Sequence, residues 1–471
     1  MATAITIDKE KMLENLLGAI DLSYDEVDKN EVKLTEISNN KEFADKLDNR
    51  FYAGLNLLMA NYKTPEGTVV KGFNTQMTQS VINKIDTIIN EQVNTIIKCK
   101  EFNNLESNWL GIKDVIDNTN FQSNIKIDLF DVTKDELTTD FECNSVDVTG
   151  SEFFKKTYLS EYDQYGGEPY GSFIGLYDFD HSTEDIDFLS TMGKMSSVNH
   201  APFNGSLSPA FFGMDKFEDL LEIKDLNKFM NHPRYRRWKK LRDSREAVYL
   251  GLSMPRYMIR EPWEKEINPA GKEFKSFNEE INPEDDNSFV WAHSSLLFAR
   301  NLTRSFEETG WCQWIRGPKG GGQIDELPSY EFNTRGKDEL KVPVEITLPD
   351  NKELALAKAG IIPLIQEKNT SNACFFSTQS LKLSKDFEDP ADREDSQLVT
   401  NLSYTFSICR IAHYFKVIGR LNIGSTADNE YLQKIFTSWI NGYVTTVIDP
   451  NDATLRRFPF KAASVNVEPV E

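Results

Sequence analysis

A chain of 471 residues, 39% hydrophobic and 11% aromatic, is too long for one ordinary core and apolar enough to fold, so two or three domains are expected and general disorder is not. Its net charge of -21, with an isoelectric point near 4.8, argues against a nucleic-acid surface and against binding to anionic membrane. Such a charge suits a soluble protein kept apart from its copies until a partner neutralises it. The five cysteines (Cys99, Cys143, Cys312, Cys374 and Cys409) form no CxxC pair, which argues for a reducing compartment and against a disulfide framework or a zinc site.

From the N-terminus, Met1 to Leu17 lacks the unbroken apolar stretch of a signal peptide, and no run of about 18 apolar residues crosses a membrane. The first hundred residues read as helical. Met12, Leu13, Leu16, Leu17 and Ile20 keep helical spacing, and Phe43, Leu47, Phe51, Leu55, Leu58 and Met59 form a second stripe. The narrowest stripe is Ile82, Ile85, Ile89, Val93 and Ile96, set among Gln and Asn, which suits packing against a partner helix or within an intramolecular bundle. Ile125, Ile127 and Leu129 alternate as a strand with one buried face, and residues 170–179 read as a buried strand. Glu184, Asp185 and Asp187 then open a helix.

Strands alternating with helices imply a mixed α/β body. Residues 264–288 are polar and Pro-bearing, as in a surface insertion. Leu402 to Ile418 reads as a buried helix, and Leu432 to Val444 as a last amphipathic one. The alternating tail around Val465 and Val467 reads as a strand without a partner in the sequence. The expected domains are a helical region (1–103), a middle α/β domain (104–330), an inner α/β domain (331–458) and a C-terminal strand arm (459–471).

Signs of catalysis are sparse. Gly317, Pro318, Lys319, Gly320, Gly321 and Gly322 have the interval of a phosphate loop, but Gln323 and Ile324 stand where Lys and a hydroxyl residue are needed. The five histidines show neither HxxxH nor HxH spacing, and His293 and His413, in apolar helical segments, read as core histidines. Asp178, Asp180, Asp185 and Asp187 lack the Gly and terminal Glu of a calcium loop. No catalytic residue, cofactor or metal site is therefore assigned. Aromatic residues and arginines are dense at Tyr235 to Arg245 and at Trp291 to Arg316, as in a core shell or an interface.

Several strings resemble one family, the large subunits of type VI secretion contractile sheaths. They are Leu105 to Gly111, Tyr165 to Gly171, His200 to Phe203, Trp238 to Tyr257, Trp291 to Phe298 followed by Gly310 to Gly322, Pro343 to Leu364, and Cys409 to Lys416. In order along the chain, they are specific as a set.

The resemblance implies an obligate heterodimer with a small sheath subunit, stacked with other heterodimers as six-fold rings in a helical tube. That tube would surround an inner tube protein on a membrane-anchored baseplate in the bacterial cytoplasm. A AAA+ ATPase disassembles contracted sheath in many such systems. Under this reading Leu13, Leu17, Ile82, Ile85, Ile89, Val93 and Ile96 contact the small subunit. Asp428, Glu430 and Lys434 face the inner tube, and Val465 and Val467 link neighbouring subunits by strand addition. Members of the family usually continue beyond the position of Glu471 with a further strand-bearing segment, so truncation would put strand exchange in doubt. The alternatives are a phage-tail-like sheath outside secretion and a soluble enzyme.

Overall fold

The computed structural model describes residues 75–265, 267–271, 277–334, 336–384, 387–424, 428–447 and 449–468. The stripes around Leu13 and Leu17 and around Phe43 to Met59 lie outside the described residues. The chain divides into two compact units. One comprises Met1–Phe102 with Pro262–Ile281, and the other Asn103–Glu261 with Asn282–Glu471. Residues 264–281 of the polar insertion thus belong with the N-terminal unit, and 282–288 with the larger one.

The larger unit is built on a six-stranded sheet. Strands β1 (Phe173–Phe179), β2 (Phe203–Leu207), β3 (Leu250–Met254) and β9 (Ile362–Gln366) run parallel in that order; β10 (Ala373–Phe375) and β6 (Gln323–Ile324) continue it antiparallel. Two small ribbons, β4 (Tyr257–Met258) with β5 (Trp291–Ala292) and β7 (Tyr330–Thr334) with β8 (Lys337–Lys341), lie outside it. The mixed α/β reading is borne out.

The main helices are α1 (Thr75–Ile97), α2 (Lys100–Asp117), α3 (Lys134–Cys143), α4 (Thr183–Asn199), α5 (Arg236–Asp243), α6 (Ser294–Thr309), α7 (Asp350–Lys358), α8 (Pro390–Val399), α9 (Leu402–Leu421) and α10 (Asn429–Asn441). The acidic opening read at Glu184 is real: Ser182 caps α4 by accepting from the Asp185 amide at 3.2 Å.

Period-two alternation separates two apolar cores on the two faces of the sheet. Phe179, Phe203, Leu207, Leu250, Leu252 and Met254 pack with α4 and α5 on one face. Ile362, Leu364, Ala373 and Phe375 pack with α6 and the start of α9 on the other. Between those apolar positions stand Asn204, Ser206, Gly251 and Ser253, all buried. Their small size lets α6 sit close, with Ser294 Oγ donating to Ser253 Oγ at 2.9 Å and Ser295 Oγ to the Gly175 carbonyl at 3.2 Å.

Three expectations need correction. No strand forms at Ile125–Leu129. That extended stretch is held by side chains instead of a ladder: Tyr170 Oη donates to Asp128 at 3.1 Å, and Tyr177 Oη to the Val132 carbonyl at 2.7 Å. His293 is not inside a helix but immediately before α6, with Nδ1 3.4 Å from Asp178 Oδ1. Helix α10 is not the last, because Asp452–Arg457 forms a further short helix.

Candidate assembly surfaces

Helix α1 carries the Ile/Val stripe, and a single polar residue determines which way it points. Asn94, buried in a Gln/Asn-rich helix, grips the backbone of the insertion. Its Nδ2 donates to the Asn278 carbonyl at 3.1 Å, and its Oδ1 accepts from the Glu280 amide at 2.8 Å. Lys98 adds an ion pair to Glu280 at 3.1 Å. At 3.6 residues per turn, Asn94 lies across the helix from Ile85, Ile89 and Ile96. The stripe therefore faces away from the insertion. Ile82, Ile89 and Ile96 are 41%, 37% and 56% exposed, while Ile85 and Val93 are half-buried.

Helix α2 has a second outward apolar face, which the sequence reading passed over. Its inner face, Ser107, Gly111 and Val115, is buried on α6. Glu106 pairs with Arg260 at 2.6 Å and Asp114 with Arg300 at 3.6 Å, which fixes the rotation of the helix. Burial pushes the Asp114 carboxyl up, against the pull of Arg300. Leu105, Trp109 and Ile116 are left exposed, Trp109 by 59%. The signal was present in the sequence, since 105, 109, 112 and 116 repeat the four-three spacing of a helix seam.

Helix α10 leans on α9 through stacked rings. Tyr414 lies 4.9 Å from Trp439, and Phe415 lies 4.7 Å from Phe436. Its other side is polar. Glu430, Gln433, Lys434, Thr437, Ser438 and Asn441 line an open depression of about 520 Å³. Of the three residues predicted to face an inner tube, Glu430 and Lys434 lie on this face. Asp428 is exposed but engaged as the N-cap, accepting from the Tyr431 amide at 2.8 Å. Further on, Phe460 packs edge-on against Trp311 at 5.5 Å and bridges Val444. Residues 461–468 then run outside any hydrogen-bonded strand among the described residues. Val465 and Val467 are half-buried, and their neighbours Ser464, Asn466 and Glu468 are exposed.

Two profiles of one family cover most of the chain: "EvpB/VC_A0108, tail sheath N-terminal domain" matches residues 79–382, and "EvpB/VC_A0108, tail sheath gpW/gp25-like domain" matches residues 391–471. This chain belongs to the EvpB/VC_A0108 tail-sheath family. It is also similar to the type VI secretion system sheath protein TssC1 of Pseudomonas aeruginosa, with 38% identity over 83% of this chain and 79% of that protein. The resemblance to type VI sheath large subunits is borne out, and with it the reading as a structural sheath protein.

The strings that carried the resemblance are joints in this sheath protein. Cys409 to Lys416 on α9 meets His200 and the segment before Gly166. His413 Nε2 lies 2.9 Å from the Asn199 carbonyl, and Lys416 Nζ sits 3.7 Å above the Tyr162 ring and 2.9 Å from Asp163. Burial, with Lys416 and His200 close by, pushes the His413 imidazole down to about 4, and burial also lowers His200. The Arg410 guanidinium rests in an aromatic cage, 4.7 Å from Trp311, 4.9 Å from Phe306 and 5.2 Å from Tyr414.

The glycine-rich string is also a joint. The amides of Gly317 and Gly322 donate to the carbonyls of Phe375 at 2.7 Å and Gly317 at 2.9 Å, and Arg304 Nη2 donates to the Gly321 and Gln323 carbonyls at 2.7 and 2.6 Å. A Cβ on Gly322 would lie 2.5 Å from the Phe375 carbonyl, so the loop is pressed against the sheet. Among the described residues no helix is long and apolar enough to cross a membrane.

Proposed function

We propose that this sheath protein forms an obligate pair with a small sheath subunit, and that the Ile82, Ile85, Ile89, Val93 and Ile96 stripe of α1 is the docking seam, joined by Leu13 and Leu17. The observation that carries the reading is the outward orientation of the stripe, set by Asn94. Paired subunits stack in six-fold helical rings around an inner tube protein. The polar face of α10, with Glu430 and Lys434, meets that tube through contacts that are weak singly and release together. Asp428 shapes the start of this face through its cap.

The tail around Val465 and Val467 adds as a strand to a neighbouring subunit; its backbone makes no ladder among the described residues. Contraction of the tube drives the inner tube outward. The role is mechanical, not catalytic: the glycine loop spends its amides on the Phe375 carbonyl and on its own Gly317 carbonyl, and His413 braces α9 against the end of α4. The setting is the bacterial cytoplasm, on a membrane-anchored baseplate, with a AAA+ ATPase recycling contracted sheath.

The test is co-production with the small-subunit gene product, followed by affinity capture and negative-stain electron microscopy. Hollow tubes requiring both proteins are expected. Ile89→Glu with Ile96→Glu should reduce recovery of the pair by about tenfold or more, because two charges would enter a desolvated seam. Undiminished pairing by this variant would remove the seam from α1.

A further inference from the structure

In a chain of net charge -21, residues 224–245 stand out. They hold nine Lys or Arg residues against two Asp. The fold turns this stretch into a ridge. Tyr235, Trp238 and Leu241 are buried and anchor it, while Lys224, Lys228, Arg234, Arg236, Arg237, Lys239, Lys240 and Arg245 are exposed. Little of the charge is neutralised locally. Arg237 reaches Asp187 at 3.3 Å and Lys228 reaches Asp225 at 3.6 Å, but Arg236, Lys240 and Arg245 have no ion-pair partner among the described residues. Charge held together against the sign of the whole chain costs self-repulsion, which an acidic partner would offset.

The same chain carries a complement. Residues 387–399 hold five Asp or Glu residues and one Arg. They include helix α8, a ten-residue helix with no buried side chain. Asp389 caps it through the Ala391 amide at 2.9 Å, and Arg393 closes back on the Phe387 carbonyl at 2.8 Å. Glu388, Asp392, Glu394 and Asp395 have no ion-pair partner among the described residues, and Leu398 and Val399 are exposed beside them. So short a helix is marginal without packing. Its acidic first turns suit its own dipole and leave a negative face for another surface.

We propose that the basic ridge of one copy receives the acidic helix α8 of a neighbouring copy as a lattice contact of the assembled sheath. The contact is head-to-tail, ridge to helix, so it propagates from copy to copy instead of closing a symmetric dimer. Its strength is spread over several exposed pairs and falls with salt. This inference rests on the assembly proposed above.

The experiment uses the full chain co-produced with the small subunit. Capture of the soluble pair and pelleting of tubes are measured separately, so a failure of pairing and a failure of this contact are distinguishable. Arg236→Glu with Lys240→Glu should leave the pair intact and lower the pelleted fraction about tenfold at low salt. Glu394→Lys with Asp395→Lys should do the same, and the fourfold variant should recover tubes. Normal tubes from either double variant would overturn the proposal. So would an intact pair whose fourfold variant still fails to assemble, since the ridge would then serve another acidic or anionic partner.

Discussion

Gly111 shows how one residue can reverse an expectation. In the middle of an exposed helix, Gly→Ala ordinarily stabilises by about 1 kcal/mol. Here a Cβ would lie 2.3 Å from Leu296 Cδ1, in the contact that seats α2 on α6. Gly111→Ala is therefore expected to destabilise by about 1–3 kcal/mol in chemical denaturation, the cost of overpacking. His413 gives a second prediction at this scale. Its folded value, about 4, lies below the ordinary 6.5, so the native state keeps it neutral while the unfolded chain takes up a proton. Its contribution is undiminished above pH 6.5 and is lost as pH falls from there toward 4, by about 1–2 kcal/mol at pH 5. His413→Gln should flatten the fall in unfolding free energy between pH 7 and 5. An unchanged slope would mean that the imidazole is protonated in place. The family string containing Gly111 was legible in the sequence; its partner Leu296, far along the chain, was not.

Among the elements, helices bounded by caps and periodic stripes were readable, while relations between distant segments were not. The acidic start of α4 and the long apolar run of α9 lie where the pattern put them. The alternating Ile125 and Ile127 misled, because alternation reports which side is covered and not whether a neighbour supplies a ladder. Asn94 was invisible among its polar neighbours, although it aims the whole of α1. Asn94→Ala removes both bonds to the insertion and should cost about 1–3 kcal/mol, with faster amide exchange confined to α1 and residues 277–281. Exchange unchanged there would mean that the apolar contacts alone hold α1. Outward faces such as Leu105 and Trp109 on α2 were hidden for a related reason, since a stripe in the sequence does not say whether its cover is internal or comes from another molecule.

At the scale of the whole molecule, alternating strands and helices gave the class, and a set of ordered strings gave the family. The assignment of each string as a joint needed coordinates. The exposed Ile stripe of α1 and the Trp109 face of α2 predict the behaviour of the chain produced alone: it should elute from size-exclusion as aggregate, and as a defined complex once the proposed small subunit is present. A monodisperse monomer without a partner would mean that these faces are covered from within.

The margins of the six-stranded sheet set a limit on how copies can join. At one margin β6 is only two residues long and is flanked by the glycine loop bonded to the Phe375 backbone; at the other, β1 is tied by side chains to the stretch ending at Val132. The β6 margin therefore offers no long row of open amides and carbonyls to a passing strand, whereas β1, seven residues long, has β2 as its one strand neighbour among the described residues. A protein produced in many copies is thus guarded against stray strand joins at one border of its sheet and left open to strand addition at the other.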